Sequence, residues 1–206
     1  MRRTLTLLLL AWLAAVAAIA VARQAAGAPH LGGLASTPDL IAHGRLWTLL
    51  SSSLPVSRYP VLEIAGLLGA MYAVWRVAGI AAVWIAGLAA HVGSTLIVYA
   101  GIGGLWLADR GSVERFVDRL DYGISAIWLG ELGFLTTTLW RRNRRLAIGV
   151  GVASLAVSAG LTPVAGEVAS AEHFLALAIG AALPILFRDA SVFRRQPAAA
   201  PPRPAA

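Results

Sequence analysis

The sequence contains no cysteine, so disulfides, thiolate metal sites and a cysteine nucleophile are excluded together. Lysine is missing as well. All 17 basic side chains are arginines, which points to a GC-rich genome and bears on source rather than mechanism. Charge of either sign is scarce: 13% of the 206 residues are charged and 58% are hydrophobic, with a mean hydropathy of +0.74. That is far too apolar for a soluble domain of this size, and the chain reads as an all-α polytopic membrane protein. One membrane domain uses nearly the whole length. There is no internal repeat and no matched pair of Gly/Pro-broken helices, which argues against a small inverted-repeat transporter. No cofactor and no metal are expected.

Six apolar segments predict six spans, at about residues 5–22, 60–78, 80–101, 122–140, 146–161 and 168–187. Most are near the ~20 residues that a helix needs to cross the hydrocarbon. The segment at 146–161 is short and borrows Thr162 and Pro163. The first segment also has the parts of a signal peptide, with Arg2-Arg3, a leucine run and small residues near Ala20 and Ala28. Its apolar run is long for that role, which favours a retained helix. An inside amino terminus puts Arg2, Arg3, Arg76, the four arginines between Arg141 and Arg145, Arg188, Arg194, Arg195 and Arg203 on the cytoplasmic side, with Asp189 the only acid among them. The net charge of +7 is then topology, by the positive-inside rule, and needs no nucleic-acid partner. The expected setting is the plasma membrane, multi-pass, with both termini cytoplasmic and membrane lipid as the surrounding partner. Arg45 and Trp47 read as interfacial anchors, and the Arg141 to Arg145 cluster as a topology determinant with lipid headgroup binding as a second role. Residues 23–59 form a long outer loop with apolar clusters at Leu40-Ile41 and Leu46 to Leu50, suggesting a segment lying in the interface. Val113, Phe116, Val117 and Leu120 recur at helical spacing and predict a short surface helix. Residues 188–206 read as a disordered, Pro/Ala/Arg-rich cytoplasmic tail.

Two polar side chains stand out within this pattern. Ser125 lies early in the fourth span, about four residues in, or ~6 Å at 1.5 Å per residue. His173 lies slightly deeper in the sixth, and both spans start on the same side. Small residues follow each at helical spacing: Gly133 and Thr136 after Ser125, and Ala176 and Gly180 after His173. Such stripes let two helix backbones approach closely, which would face the hydroxyl with the imidazole. Ionisable groups inside a membrane are functional suspects by default. His91, mid-span with Ser94 and Thr95 nearby, is a candidate support or a bond to another helix. Glu63, near the outer end of the second span, is a candidate support or a solvated interface residue. Glu131 points away from Ser125 and is expected to pair with an inner polar group or to snorkel.

With these residues in view, the chain resembles the rhomboid intramembrane serine proteases. That family has a six-helix core, a serine in a Gly-x-Ser-Gly motif at the outer end of the fourth helix and a histidine in Ala-His-x-x-Gly-x-x-x-Gly on the sixth. Gly123-Ile124-Ser125 matches the first motif, with Ala126 in the last glycine's place. His173 and Gly180 match the second, with Ala176 for the nearer glycine and Glu172 for the alanine. Gly44 to Ser52 looks like the Trp-Arg-Leu-Leu-Thr-Ser stretch of the first rhomboid loop. The order, spacing and side agree over roughly residues 40 to 187. The chain is similar, more closely, to a divergent actinobacterial rhomboid-like branch, through Asp121-x-Gly123-x-Ser125, Ala89-Ala90-His91-Val92 and Glu172-His173-Phe174.

The resemblance implies a six-transmembrane-helix bundle that cleaves transmembrane protein substrates near the extracytoplasmic face. Ser125 would be the nucleophile and His173 the general base, with an acyl-enzyme between them and product. A backbone N–H at the start of the fourth helix would serve as one oxyanion donor. Gly123, His91 and Glu63 are the candidates for oxyanion or support roles. The departures lie there. Val61 and Ala65 stand where the family carries His-x-x-x-Asn, and Leu129 stands where a tyrosine stacks on the histidine. Glu172, next to His173, points about 100° away on a helix and is a poor orienting group. Losing one oxyanion donor costs ~10²–10³ in rate, compatible with a slow enzyme or with an inactive rhomboid-like pseudoprotease that binds transmembrane clients. Both readings stand, and the oligomeric state is open.

Overall fold

The computed structural model describes residues 1–25, 33–56 and 59–188; the rest of the expected tail lies outside this set, as do Ala28 and Arg58. The described chain is helical. The elements are α1 (Arg2–Ala25), α2 (Pro38–Ala42), α3 (Thr48–Ser51), α4 (Pro60–Ala78), α5 (Ile80–Ala108), α6 (Arg110–Val117), α7 (Ser125–Trp140), α8 (Arg144–Ala165) and α9 (Glu167–Leu186). Five of them, α1, α4, α5, α8 and α9, are long and apolar enough to cross a membrane. The segment expected at 122–140 forms a helix only from Ser125, so α7 has 16 residues. Conversely α5 runs on to Ala108, well past the expected end at 101.

Local chemistry explains several of these limits. Pro60 opens α4 at a position where its missing N–H costs nothing. Asn143 caps α8, its side chain accepting from the Leu146 N–H at 3.1 Å. Thr37 does the same for α2 at 3.0 Å from the Leu40 N–H. The short α6 appears within the surface helix expected from sequence. Val113 is buried and Phe116 and Val117 are half-buried, but Leu120 lies beyond the helix and is exposed.

The chain passes back and forth, so α4, α7 and α9 run from the end that carries Glu63, Ser125 and Glu167 to the end that carries Arg76, Arg141 and Arg188. α7 is the central helix and packs against α4, α5, α8 and α9. Glycines make its contact with α9 very close. A Cβ on Gly180 would lie 2.6 Å from the carbonyl carbon of Gly130 and 2.9 Å from its Cα, and closer still to its oxygen. A Cβ on Gly133 would likewise run into the α9 backbone at Leu177 and Ala181. The Thr137 hydroxyl donates across the same seam to the Ala181 carbonyl at 2.8 Å. Packing by backbone proximity and interhelical hydrogen bonds suits an environment that offers no hydrophobic drive between helices.

Two carboxyls depart from expectation. Glu131 neither snorkels nor finds a polar partner. It is fully buried on α7, and both its oxygens lack a hydrogen bond among the described residues. Space for it comes from Gly87 of α5, where a Cβ would sit 3.4 Å from Oε1. Glu63 is buried against the bundle and not a solvated interface residue.

Candidate active site

Ser125 is the first residue of α7, where a helix leaves its leading N–H groups without intrahelical acceptors. The Ile124 carbonyl takes the N–H groups of Ile127 (3.1 Å) and Trp128 (3.3 Å). The N–H groups of Ser125 and Ala126 have no acceptor among the described residues. Both therefore stand at the positive end of the α7 dipole, beside the serine hydroxyl.

The lead-in to α7 is held from two sides. Asp121 and Ser36 form an antiparallel bridge, each N–H donating to the other's carbonyl at 2.9 Å. Gly123 then adopts φ +140°, a conformation that side chains rarely take, and its N–H donates to the Ser52 carbonyl at 2.9 Å. The Gly123 N–H is thus committed to the loop and not free for an oxyanion.

His173 sits six residues into α9, about 9 Å along its axis. The offset between the two is larger than expected: Ser125 opens its helix while His173 lies well inside the other. The earlier start of α9 compensates, and His173 Nε2 comes 2.8 Å from Ser125 Oγ. His173 is buried and Ser125 half-buried. The close seam at Gly130 and Gly180 brings the two helices near enough for this bond. For Nε2 to accept the serine proton, the neutral ring must carry its own proton on Nδ1. That nitrogen is buried and has no partner among the described residues. Among the described residues the orienting third group of a triad is missing.

Glu172 does not fill that role. It turns to Asp121, carboxyl to carboxyl, as the next residue on a helix must turn away from its neighbour's direction. The Asp121 carboxyl also accepts from the Tyr99 hydroxyl at 3.3 Å, and Tyr99 in turn accepts from Ser36 Oγ at 2.8 Å. Burial holds the Asp121 carboxyl above the usual carboxylate range, against the opposing pull of Arg119 and of its hydrogen bonds. This network joins the first loop, α5, the α7 lead-in and α9. Sequence reasoning missed it, apart from the Asp-x-Gly-x-Ser pattern around Asp121.

His91 does not reach the serine–histidine pair. Its Nε2 lies 3.0 Å from the Leu49 carbonyl and 3.2 Å from Ser52 Oγ. A carbonyl only accepts, so Nε2 carries the proton. Since the Ser52 carbonyl binds Gly123, His91 braces the loop that braces Ser125. Nothing in the spacing marks Ser52; only its place in the Gly44 to Ser52 stretch draws notice.

The α4 register also differs from expectation. Val61 is 82% exposed and Ala65 is exposed too, while the inward positions are Glu63, Leu67 and Ala70. Residues at 61 and 65 face away from the bundle, so no side chain there could supply oxyanion donors. Leu129, in the position of the stacking tyrosine, is fully buried.

Among the described residues no three His, Asp or Glu side chains converge as metal ligands. The arrangement offers a hydroxyl nucleophile, an imidazole base in hydrogen-bond contact with it, and two unengaged backbone N–H donors. Compared with family models, with curated proteins and with solved structures, the chain matches none.

Proposed function

We propose that this chain is a rhomboid-like intramembrane serine endopeptidase that cleaves transmembrane proteins near the extracytoplasmic face of the plasma membrane. The observation that carries the reading is the 2.8 Å contact between His173 Nε2 and Ser125 Oγ at the free amino terminus of α7. In this reading α7, walled in by four other helices, is the sixth span. The arginine-rich end of the bundle is cytoplasmic by the positive-inside rule, which turns the pair outward.

The chemistry follows from the atoms present. His173 Nε2 takes the Ser125 proton as Oγ attacks the scissile carbonyl carbon. The carbonyl oxygen becomes an oxyanion, stabilised by the N–H groups of Ser125 and Ala126. Collapse breaks the C–N bond, and His173 gives its proton to the leaving amine. Water then attacks the acyl ester, with His173 again accepting a proton, and restores the serine.

The test is labelling of the purified protein with a fluorophosphonate, with cleavage of model single-span substrates in parallel. Labelling and cleavage in the wild type, both abolished in Ser125→Ala and strongly reduced in His173→Ala, are expected. Absence of serine-dependent labelling and cleavage overturns the proposal. A second reading, a pseudoprotease that binds transmembrane clients, is favoured by two observations: Nδ1 of His173 has no orienting acceptor among the described residues, and the α4 positions expected to hold oxyanion donors face outward. A deletion phenotype rescued fully by Ser125→Ala would support it.

A further inference from the structure

At the end of the bundle opposite Ser125, the last turns of α4, α7 and α9 line a half-open cavity of about 180 Å³. Its volume is comparable with the ~150 Å³ engineered cavity that admits a benzene-sized ligand. Arg141, Arg142 and Arg188 line it, with Thr137, Thr138 and Phe187 among the other walls. Three cations around one small space repel one another unless something negative lies between them.

Other arginines of the chain are already engaged. Arg76 lies over the Tyr72 ring at 5.9 Å and Arg144 over Trp140 at 5.6 Å. Arg115 pairs with Glu167 at 3.0 Å. Arg141, Arg142 and Arg188 have neither a carboxylate nor an aromatic ring as partner among the described residues. The threonine hydroxyls give their protons to backbone carbonyls, Thr137 to Ala181 and Thr138 to Phe134, each at 2.8 Å. Donors for a ligand in this cavity are therefore the guanidinium groups, whose planar forks match phosphate oxygens. The outer wall continues as apolar surface: Ile185, Leu186 and Phe187 at the end of α9 are all exposed. A ligand suited to both surfaces has a phosphate head and hydrocarbon tails.

We propose that this cavity binds the phosphodiester of an anionic phospholipid, gripped by Arg141, Arg142 and Arg188, with its acyl chains lying along the exposed end of α9. The site is separate from the serine–histidine pair and holds whether or not the chain is a peptidase.

The test uses the full chain in a non-ionic detergent, read by native mass spectrometry. Dioctanoyl phosphatidylglycerol, dioctanoyl phosphatidylcholine and inorganic phosphate are added separately. The wild type should retain phosphatidylglycerol roughly tenfold or more over phosphatidylcholine, since each basic residue near an anionic headgroup contributes severalfold. The combined substitution Arg141→Gln, Arg142→Gln and Arg188→Gln should abolish that preference. Arg144→Gln with Arg145→Gln, in the same basic belt but outside the cavity, should leave it intact. Equal loss in both variants means diffuse electrostatics and overturns the site, as does an unchanged preference in the triple variant. Inorganic phosphate retained as tightly as the lipid overturns the lipid assignment in favour of a soluble phosphate. Should the triple variant not fold, Arg141→Gln and Arg188→Gln are read singly, and each must lower the preference severalfold.

Discussion

Gly180→Ala adds one methyl group at the tightest point of the bundle, and its effect can be worked out from distances. The new Cβ would lie 2.6 Å from the Gly130 carbonyl carbon. Ordinary contact begins at 3.4 Å and the Gly130 oxygen is closer than its carbon, so α9 and α7 must part by at least about 1 Å, and backbone on both sides leaves no side chain to rotate away. His173 is on the same helix, two turns nearer the site. Movement of α9 by that amount would stretch the 2.8 Å bond between His173 and Ser125 past hydrogen-bond reach. A misplacement of 1 Å at reacting groups costs on the order of 10²-fold in rate, and overpacking destabilises by ~1–3 kcal/mol. The assay is the rate of fluorophosphonate labelling, with thermal unfolding of the same sample in detergent. Gly149→Ala on α8 is the control, since a Cβ there meets nothing within 4 Å. That change should keep the rate and leave stability unchanged or raised by up to ~1 kcal/mol, as alanine is the better helix former. Gly180→Ala labelling within twofold of wild type would falsify the claim that this seam positions the pair.

Asp121 makes stability depend on pH. Its carboxyl is held above its ordinary value by burial, with Tyr99, Glu172 and Arg119 the groups facing it. The folded state then binds more protons than the unfolded chain above about pH 4, so stability should fall as pH rises from there through the folded titration. Melting temperatures in a pH series should show that decline, and Asp121→Asn should flatten it; a wild-type stability that rises through the window contradicts the assignment. His91→Ala removes the donor to Leu49 and Ser52 and should lower unfolding stability by ~1–3 kcal/mol, measured by denaturant titration, with slower serine labelling through the loosened Gly123. Glu131→Leu replaces a buried carboxyl that has no hydrogen bond among the described residues by a similar apolar volume and should raise the melting temperature. A fall would show that the carboxyl has a partner that matters.

The membrane class and most helix positions are legible in the sequence because repeated apolar runs of span length find a stable setting almost nowhere but in a bilayer. Which way each helix faces is not legible. α4 and α7 are apolar nearly all round, and lipid tails are as apolar as a protein interior, so hydropathy leaves their rotation open. The family resemblance therefore sets Val61 and Ala65 at the site although both face outward, and pattern sets Glu63 and Glu131 near solvent or polar partners. Small residues carry better information: Gly133, Ala176 and Gly180 mark the α7–α9 seam, because only they permit the backbones to touch. The hydrogen bonds linking His91, Ser52 and Gly123 join residues far apart in the chain, and no periodicity encodes them.

α7 spans about 24 Å at 1.5 Å per residue, against a hydrocarbon thickness of about 30 Å. If α7 is the sixth span, as proposed above, a helix this short draws its two ends inside the apolar layer unless the bilayer thins to meet it. Ser125 opens that helix, so in a thick bilayer the hydroxyl sits below the headgroups and water must be brought down to it. On that proposal membrane thickness would act as a control on the site, and the chain should favour the thinner regions of a heterogeneous membrane.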